Sequence, residues 1–185
     1  MLTLSSSTGA SKTVVYLDRN RNKTNAEGDS MSSAQSPSHG VHTDLTIASC
    51  RYLLKNVIPD EEEVERLLKR HFIVVNVWRP IKQIRRDPLG VCNWKSVNPA
   101  LDIYNDRRVT SEGILELGAP VFNEKHEWYY LSGQKPDEPI LFKQLDSNPD
   151  TNLTLLHSAF VDPKYVDYPA RESIEMKIFA FYDEE

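Results

Sequence analysis

The feature that most constrains the fold is a succession of short β-branched and aromatic segments after residue 71, divided by proline, glycine and asparagine. Such segments favour strands, and turn residues at regular spacing favour a sandwich or a barrel. The sequence therefore predicts a mostly β protein with seven or eight strands, a number that fits a jelly roll. The expected strand regions are FIVVNVWRPI (72–81), PLGVCNWKSV (88–97), a hairpin in GILELGAPVFNEKHEWYYLS (113–132), PILFKQLDS (139–147), NLTLLHSAF (152–160) and SIEMKIFAFY (173–182).

One segment before these strands predicts a single prominent helix. PDEEEVERLLKRH (59–71) begins with Pro59 and Asp60, and its acidic first turn is favourable at the positive end of the helix dipole. Its apolar stripe consists of Val64, Leu67 and Leu68. A metal site is the alternative interpretation of the DEEE run, and a solvated helix start is the simpler one.

The first 40 residues differ in composition from the rest of the chain. They are rich in serine, asparagine and charged residues, and they contain few side chains that could form a core. Only TVVYL (13–17) has the character of a strand, so residues 1–12 and 18–39 are expected to be mobile. The predicted organisation is a mostly disordered N-terminal segment, 1–40, followed by one β domain, 41–185.

Charge and composition exclude several classes of partner. A net charge of −5 and a pI near 5.6 disfavour nucleic acid, which requires a basic surface. No apolar run reaches the roughly 18 residues of a membrane span, and the start of the chain does not resemble a secretory signal. Cys50 and Cys92 are too few for a disulfide framework or a cysteine-based zinc site. We therefore expect a cytoplasmic protein with two reduced thiols.

Two histidines and one aspartate form the candidate metal site. His42 and Asp44 make an H-x-D pair, and residues two apart on a strand point to the same face. His157 lies in LLHSAFVDP, where a histidine taken alone is more often structural, and an H-x-D pair taken alone is more often an exposed polar pair. Together they match the facial triad of non-haem iron(II) oxygenases, which leaves positions open for a keto acid and dioxygen.

An R-x-S pair follows the second histidine. Arg171 and Ser173 share one face if this segment is a strand. A guanidinium binds a carboxylate through two parallel hydrogen bonds, and a serine hydroxyl adds a further donor. The pair would hold the far carboxylate of 2-oxoglutarate. The alternative is a surface arginine that pairs with Glu172 or Glu175.

Other residues are weaker candidates for the pocket. In NVWRP, Asn76 and Trp78 share one strand face and Arg79 points to the other. Alternatively, Trp78 is a residue of the hydrophobic core. Tyr130 could reach the pocket from the predicted hairpin. His126 competes as a metal ligand, although the turn around it favours exposure to solvent.

These motifs resemble a family of mostly fungal hydroxylase/desaturases. That family includes the gibberellin desaturase of plant-pathogenic fungi, is related to a bacterial cephalosporin-methoxylation protein, and belongs to the iron(II)/2-oxoglutarate-dependent dioxygenases. The resemblance spans residues 41–183 and rests on VHTDLT, VVNVWRPI, HEWYYLSGQKPDEPILFKQLDS, LLHSAFVDP and PARESIEMKIFAFYD.

The resemblance implies a double-stranded β-helix (jelly-roll) fold, with Fe(II), 2-oxoglutarate and O2 as cofactor and cosubstrates. Its iron ligands would be His42, Asp44 and His157, and its 2-oxoglutarate clamp would be Arg171 with Ser173. The implied reaction is hydroxylation or desaturation of a small secondary metabolite; the residues do not separate the two, nor do they give the oligomeric state.

The chain is shorter than the family pattern in one region. Relatives usually carry several tens of residues between a segment like TVVYLDRN and the H-x-D motif, where this chain has only RNKTNAEGDSMSSAQSPSHGV. The shortening predicts a poorer cover for the substrate. Two other hypotheses therefore stand beside the enzyme: a truncated, inactive jelly-roll remnant that acts as a binding or accessory protein, and a cupin-like metal protein that uses His126.

Overall fold

The computed structural model of the chain describes residues 8–22, 34–109, 111, 113–151 and 154–183. The strands in these regions are β1 (Lys12–Arg21), β2 (Ala34–Gln35), β3 (Phe72–Pro80), β4 (Leu89–Cys92), β5 (Ile103–Val109), β6 (Ile114–Pro120), β7 (Trp128–Tyr130), β8 (Ile140–Asp146), β9 (His157–Ala159) and β10 (Ser173–Phe181). The α-helices bounded there are α1 (Ile47–Lys55), α2 (Glu61–Leu68) and α3 (Pro99–Asp102), and the short 3-10 helices are Trp94–Ser96, Pro149–Thr151 and Pro163–Tyr165. No helix of the described residues is long and apolar enough to cross a bilayer.

The strands form one large sheet, one small sheet and a hairpin. The large sheet has the order β2-β1-β10-β3-β8, the small sheet has the order β7-β4-β9, and β5 pairs with β6. All pairs are antiparallel except β1 with β2. Beside the small sheet, His42 bridges to His157, and Thr43 and Thr46 donate backbone hydrogen bonds to β6. These hydrogen bonds hold the H-x-D segment between β9 and the β5–β6 hairpin.

One face of the large sheet holds the main hydrophobic core. Phe72 and Val74 of β3 lie beside Phe181 and Phe179 of β10 in the antiparallel register, and all four are buried. Cys50 and Leu54 of α1 and Val64 and Leu67 of α2 cover them, together with Leu45, which precedes α1. Burial of this apolar surface is the main contribution to the stability of the fold.

A second core cluster joins the two sheets. Trp78 of β3 and Phe142 of β8 pack with Leu89 of β4, and the Phe142 ring lies 5.2 Å from the imidazole ring of His157 in β9. The large and small sheets therefore face each other across this cluster, which is the arrangement of the predicted jelly roll.

The predicted helix is confirmed, although a second one was missed. Helix α2 begins after Asp60, whose carboxylate accepts a hydrogen bond from the backbone N–H of Glu62 at 2.9 Å. Its acidic start is therefore a capped helix terminus. Helix α1 was not predicted, because IASCRYLLK contains only a short apolar stripe; Cys50 and Leu54, one turn apart, are its buried apolar residues.

The predicted hairpin around NEKHE was wrong. Strand β6 pairs with β5, and β7 pairs with β4 in the small sheet, so the two halves of this segment belong to different sheets. Strand β5 was missed because YNDRR is polar and mostly exposed. In NLTLLHSAF, residues 152 and 153 lie outside the described residues, and the strand contains only His157–Ala159.

The expectation that residues 18–39 are mobile needs correction, because the end of β1 and also β2 (Ala34–Gln35) belong to the large sheet. Strand β1 continues past TVVYL to Arg21 and pairs along its length with β10, so residues 18–21 are not a mobile segment. Their polar side chains concealed the strand, which backbone pairing with β10 stabilises. Residues 1–7 and 23–33 lie outside the described residues, and the division of the chain at residue 40 otherwise stays a prediction.

Candidate metal centre and cosubstrate pocket

The three predicted metal ligands meet at one point. His42, Asp44 and His157 each offer one ligand atom, and these atoms all lie within 4.8 Å of one another. His42 Nε2 lies 3.5 Å from Asp44 Oδ1, and His157 Nε2 lies 3.7 Å from Asp44 Oδ2. Backbone hydrogen bonds of 3.2 and 3.1 Å between the two histidines fix their relative positions. Asp44 lies in a bend and not on the strand that the H-x-D spacing suggested.

Both imidazoles are oriented as metal ligands. His42 Nδ1 lies 2.7 Å from the carbonyl of Gly40, and His157 Nδ1 lies 3.0 Å from the carbonyl of Leu155. A carbonyl only accepts hydrogen bonds, so each Nδ1 donates its proton there, and each Nε2 is directed to the Asp44 side, where it could bind a metal. This is the usual second interaction of a histidine that binds a metal.

The charges of the site favour the forms that bind a metal. Burial raises the pKa of Asp44, but the Lys177 ammonium and then the two histidines lower it by more than burial raises it. The pKa of Asp44 therefore lies well below its usual range. Burial lowers the pKa of His157 and so favours its neutral imidazole, and this effect exceeds the opposite effect of the Asp44 charge. A carboxylate with two imidazoles is a donor set that suits iron(II).

Arg171 and Ser173 supply a second half of the site. Both are buried, and the Arg171 guanidinium carbon lies 5.3 Å from the centre of the Trp78 ring. Arg171 Nη1 donates to the carbonyl of Asp87 at 2.7 Å. Burial lowers the Arg171 pKa to about 10, which leaves it cationic at neutral pH. The predicted alternative, a surface arginine that pairs with Glu172 or Glu175, was wrong, because Arg171 is buried and Glu172 pairs with Lys82.

Two orphaned polar atoms indicate what this half would bind. Arg171 Nε and Ser173 Oγ are buried and have no hydrogen-bond partner. Unpaired buried donors are costly, so an anion that accepts from both fits this position. Arg171 lines the same cavity as His42 and His157. The volume of this cavity is about 20 Å³, so a dicarboxylate that reached from the metal ligands to the guanidinium would have to widen it.

The weaker candidates divide between this cavity and the surface. Asn76 and Trp78 are buried on the inner face of β3, and Trp78 lines the cavity. Arg79 is exposed on the opposite face and donates to the carbonyl of Pro136, so we remove it from the candidate residues. Tyr130 is half exposed and lines a separate aromatic groove with Trp128.

His126 is not part of the metal cluster. Its Nε2 lies 3.1 Å from Asp102 Oδ2, and its side chain is 5 % exposed, so the expectation that the turn places it in solvent was wrong. The hydrogen bond to a buried carboxylate accounts for its position. The cupin-like hypothesis therefore loses its distinguishing ligand.

Three buried charged residues at the site were missed. Glu175 and Lys177 continue the inner face of β10 beyond Ser173, and Arg21 ends β1 opposite Ser173 in the register, with its Nη2 4.0 Å from Glu175 Oε2. Lys177 Nζ donates to Asp44 Oδ1, and Asn76 Nδ2 donates to Asp44 Oδ2 and, at 3.0 Å, to Glu175 Oε1. Alternate positions of RESIEMK are all polar, and this period of two was the available signal.

Comparison with known proteins gives the family. Residues 2–181 match the family described as oxidoreductase/YMDC permease-like domain. The chain belongs to this family. It is 30% identical to hydroxylase/desaturase CTB9 of Cercospora beticola over 181 residues, which are 92% of this chain and 55% of the relative. It is 29% identical to the gibberellin cluster GA4 desaturase of Gibberella fujikuroi, over 61% of this chain and 35% of that protein.

A solved structure supports the same assignment. The iron and alpha-ketoglutarate-dependent endoperoxidase NvfI superposes with a TM-score of 0.80 at 28% identity, covering 98% of this chain and 66% of NvfI. The corresponding sequence of Aspergillus novofumigatus is 32% identical over 152 residues, 78% of this chain and 52% of the relative. The resemblance to fungal hydroxylase/desaturases and the jelly-roll fold are therefore confirmed. The chain spans about half the length of the curated relatives it matches.

Proposed function

We propose that this protein is an iron(II)/2-oxoglutarate-dependent oxygenase that hydroxylates or desaturates a small secondary metabolite. The observation that carries the proposal is a cluster of three possible metal ligands, of which His42 and His157 line one cavity together with a buried arginine that has an orphaned donor. The names of the relatives, hydroxylase/desaturase and Fe(II)/2-oxoglutarate-dependent dioxygenase, agree with it.

The roles of the residues follow from their chemistry. His42, Asp44 and His157 would hold iron(II), which together with 2-oxoglutarate and dioxygen supplies an oxidant able to remove hydrogen from an unactivated C–H bond. Arg171 and Ser173 would bind the far carboxylate of 2-oxoglutarate and orient it towards the metal ligands. Trp78 packs against the Arg171 guanidinium and limits its movement.

The proposal also covers the cellular location of the protein and the class of molecule that it binds. Both cysteines are buried free thiols, as expected for a reducing compartment such as the cytoplasm. The acidic net charge supports a small-molecule substrate over nucleic acid.

Two measurements on the purified chain test the proposal. Iron(II) with 2-oxoglutarate under anaerobic conditions should give a weak visible charge-transfer band, and air should then release succinate. His157→Ala should lose both signals. A folded protein without the band would contradict the proposal, and a band without succinate in the presence of any candidate metabolite would favour the binding or accessory protein.

Arg171→Ala tests the cosubstrate clamp separately. Removing the guanidinium from a buried carboxylate pair costs about 2–5 kcal/mol of binding free energy, so the dissociation constant for 2-oxoglutarate should rise by at least about 30-fold. Arg79→Ala is the matched control on the exposed face of β3, and it should bind 2-oxoglutarate like the parent. Equal consumption of 2-oxoglutarate by Arg171→Ala and the parent would show that the clamp is misassigned.

A further inference from the structure

Lys177 is a buried cation directed at a metal ligand. It is 7 % exposed, and it lies opposite Asn76 in the register of β10 and β3. Its Nζ donates to Asp44 Oδ1, which is the one hydrogen-bond acceptor recorded for it in the described part of the chain. A buried ammonium is strongly unfavourable without a counter-charge. Asp44 is therefore the counter-charge of Lys177 as well as a predicted metal ligand.

Each oxygen of Asp44 has its own donor. Lys177 of β10 holds Oδ1, and Asn76 of β3 holds Oδ2. Asn76 is itself fixed, because the same Nδ2 donates to Glu175 Oε1, and the other oxygen of Glu175 lies 4.0 Å from Arg21 Nη2. The carboxylate is thus held from two adjacent strands, and its plane is set by groups that do not depend on a metal.

A cation at this carboxylate would meet a charge of the same sign. Like charges a few ångströms apart repel strongly where the effective dielectric constant is low. That condition applies here, because Lys177, Asn76 and Glu175 are all buried. The ammonium therefore does two things: it orients Asp44, and it lowers the affinity of the site for a divalent ion. Removing its charge would leave Asp44 oriented by Asn76 and would remove the repulsion.

We propose that Lys177 is a positioning residue that acts as the counter-ion of Asp44 and opposes the binding of a divalent cation there. The inference rests on the proposed metal centre. It goes beyond that centre, because it assigns the affinity of the site to a residue that is not a ligand. A lysine whose only role is to pack its aliphatic stem would contribute to folding and leave the metal affinity unchanged.

The test is the affinity for Mn²⁺, read from the disappearance of the free-ion signal in electron paramagnetic resonance. Lys177→Met should bind Mn²⁺ at least about tenfold more tightly than the parent, because the repelling charge is gone. Its thermal unfolding midpoint without metal should fall, since Asp44 loses its counter-ion, and saturating Mn²⁺ should raise this midpoint by more than it raises that of the parent. Lys143→Met removes a lysine that pairs with Asp146 in the same sheet and should leave the Mn²⁺ affinity within about twofold.

The outcomes separate the two proposals. A parent protein that binds no Mn²⁺, or binds it equally well after His157→Ala, contradicts the metal centre. A parent that binds Mn²⁺ while Lys177→Met binds it equally or more weakly overturns the role of Lys177. If Lys177→Met does not fold, Lys177→Gln keeps a neutral donor and tests the charge alone. Failure of both variants to fold even with Mn²⁺ would also overturn the inference, because the ion should replace the missing charge.

Discussion

The inner face of the large sheet has two halves that serve different purposes. Near the helices, Phe179 and Phe181 of β10 lie beside Val74 and Phe72 of β3, and the face is apolar. A few residues away on the same two strands, the paired residues are Lys177 with Asn76, Glu175 with Trp78 and Ser173 with Pro80. The face therefore changes from a packed core to a charged site between Phe179 and Lys177. The pairing of β10 with β3 stays in register there, whereas the pairings of β1 with β10 and of β3 with β8 each shift register nearby.

The difference shows how the fold can tolerate buried charges. The helices seal the apolar half, and the burial there stabilises the strands on which the polar half is built. In the polar half, each buried charge has a partner that it would be costly to remove, as in Arg21 with Glu175 and Lys177 with Asp44. The apolar half of these strands therefore keeps the polar half rigid, although no residue of the apolar half takes part in the chemistry of the site.

The largest effect on stability is expected in the apolar half. Phe179→Ala removes a fully buried ring that contacts the rings of Tyr16, Phe72 and Phe181, so the free energy of unfolding should fall by about 3–5 kcal/mol. Urea denaturation measures the loss. The folded fraction should still bind Mn²⁺ with the parent's affinity, because no metal ligand is altered.

The control for this prediction lies on the other face of the same strand. Met176 is 37 % exposed, so Met176→Ala should cost less than about 1 kcal/mol. A Phe179→Ala protein that loses metal affinity as well as stability would show that the two halves are not separable in the way described.

The apolar half was predictable from the sequence, and much of the rest of the fold was not. FIVVNVWRPI and SIEMKIFAFY have clear strand composition, and both form central strands of the large sheet. Strand β5 and the end of β1 are polar and are held by backbone pairing, which composition does not report. The segment around NEKHE has the local signals of a hairpin, but its partners are distant in the sequence, and local patterns do not specify such pairing.

The second prediction concerns the polar half. Glu175→Gln removes the charge that accepts from Asn76 and faces Arg21, and the free energy of unfolding should fall by about 1.5–3 kcal/mol, the contribution of a charged hydrogen bond. The amide is nearly isosteric, so packing should not change. Urea denaturation without added metal measures the loss.

Glu172→Gln is the matched control in the same segment. Glu172 pairs with Lys82, which is mostly exposed, so its loss should change stability by less than about 1 kcal/mol. Equal effects of the two substitutions would mean that Glu175 is not a buried partner of the site.

The site was predictable only in part, for a physical reason. His42, Asp44, His157, Arg171 and Ser173 were predicted because these residue types in this order are far more specific together than any one alone. His42, Asp44 and His157 form one cluster, His42, His157 and Arg171 line one cavity, and Ser173 is buried on the inner face of β10. Glu175 and Lys177 are ordinary surface residues in most proteins, and only burial, which depends on the tertiary structure, distinguishes them here. Arg79 and Trp78 are adjacent in the sequence, yet only Trp78 faces the cavity.

The smallest predicted effect concerns Cys50, which lies beneath the apolar half in α1. Burial raises the pKa of this thiol to about 12, so it stays neutral in the folded protein while the thiol of the unfolded chain ionises near pH 8.5–9. The stability that this difference contributes is complete below the unfolded pKa and is lost as the pH rises towards the folded one. Between pH 7.5 and 9.0, the free energy of unfolding should therefore fall by up to about 1 kcal/mol more in the parent than in Cys50→Ala. Urea denaturation of both proteins at the two pH values measures this difference. Parallel pH dependence of the two proteins would show that the thiol titrates normally and that the apolar half admits water.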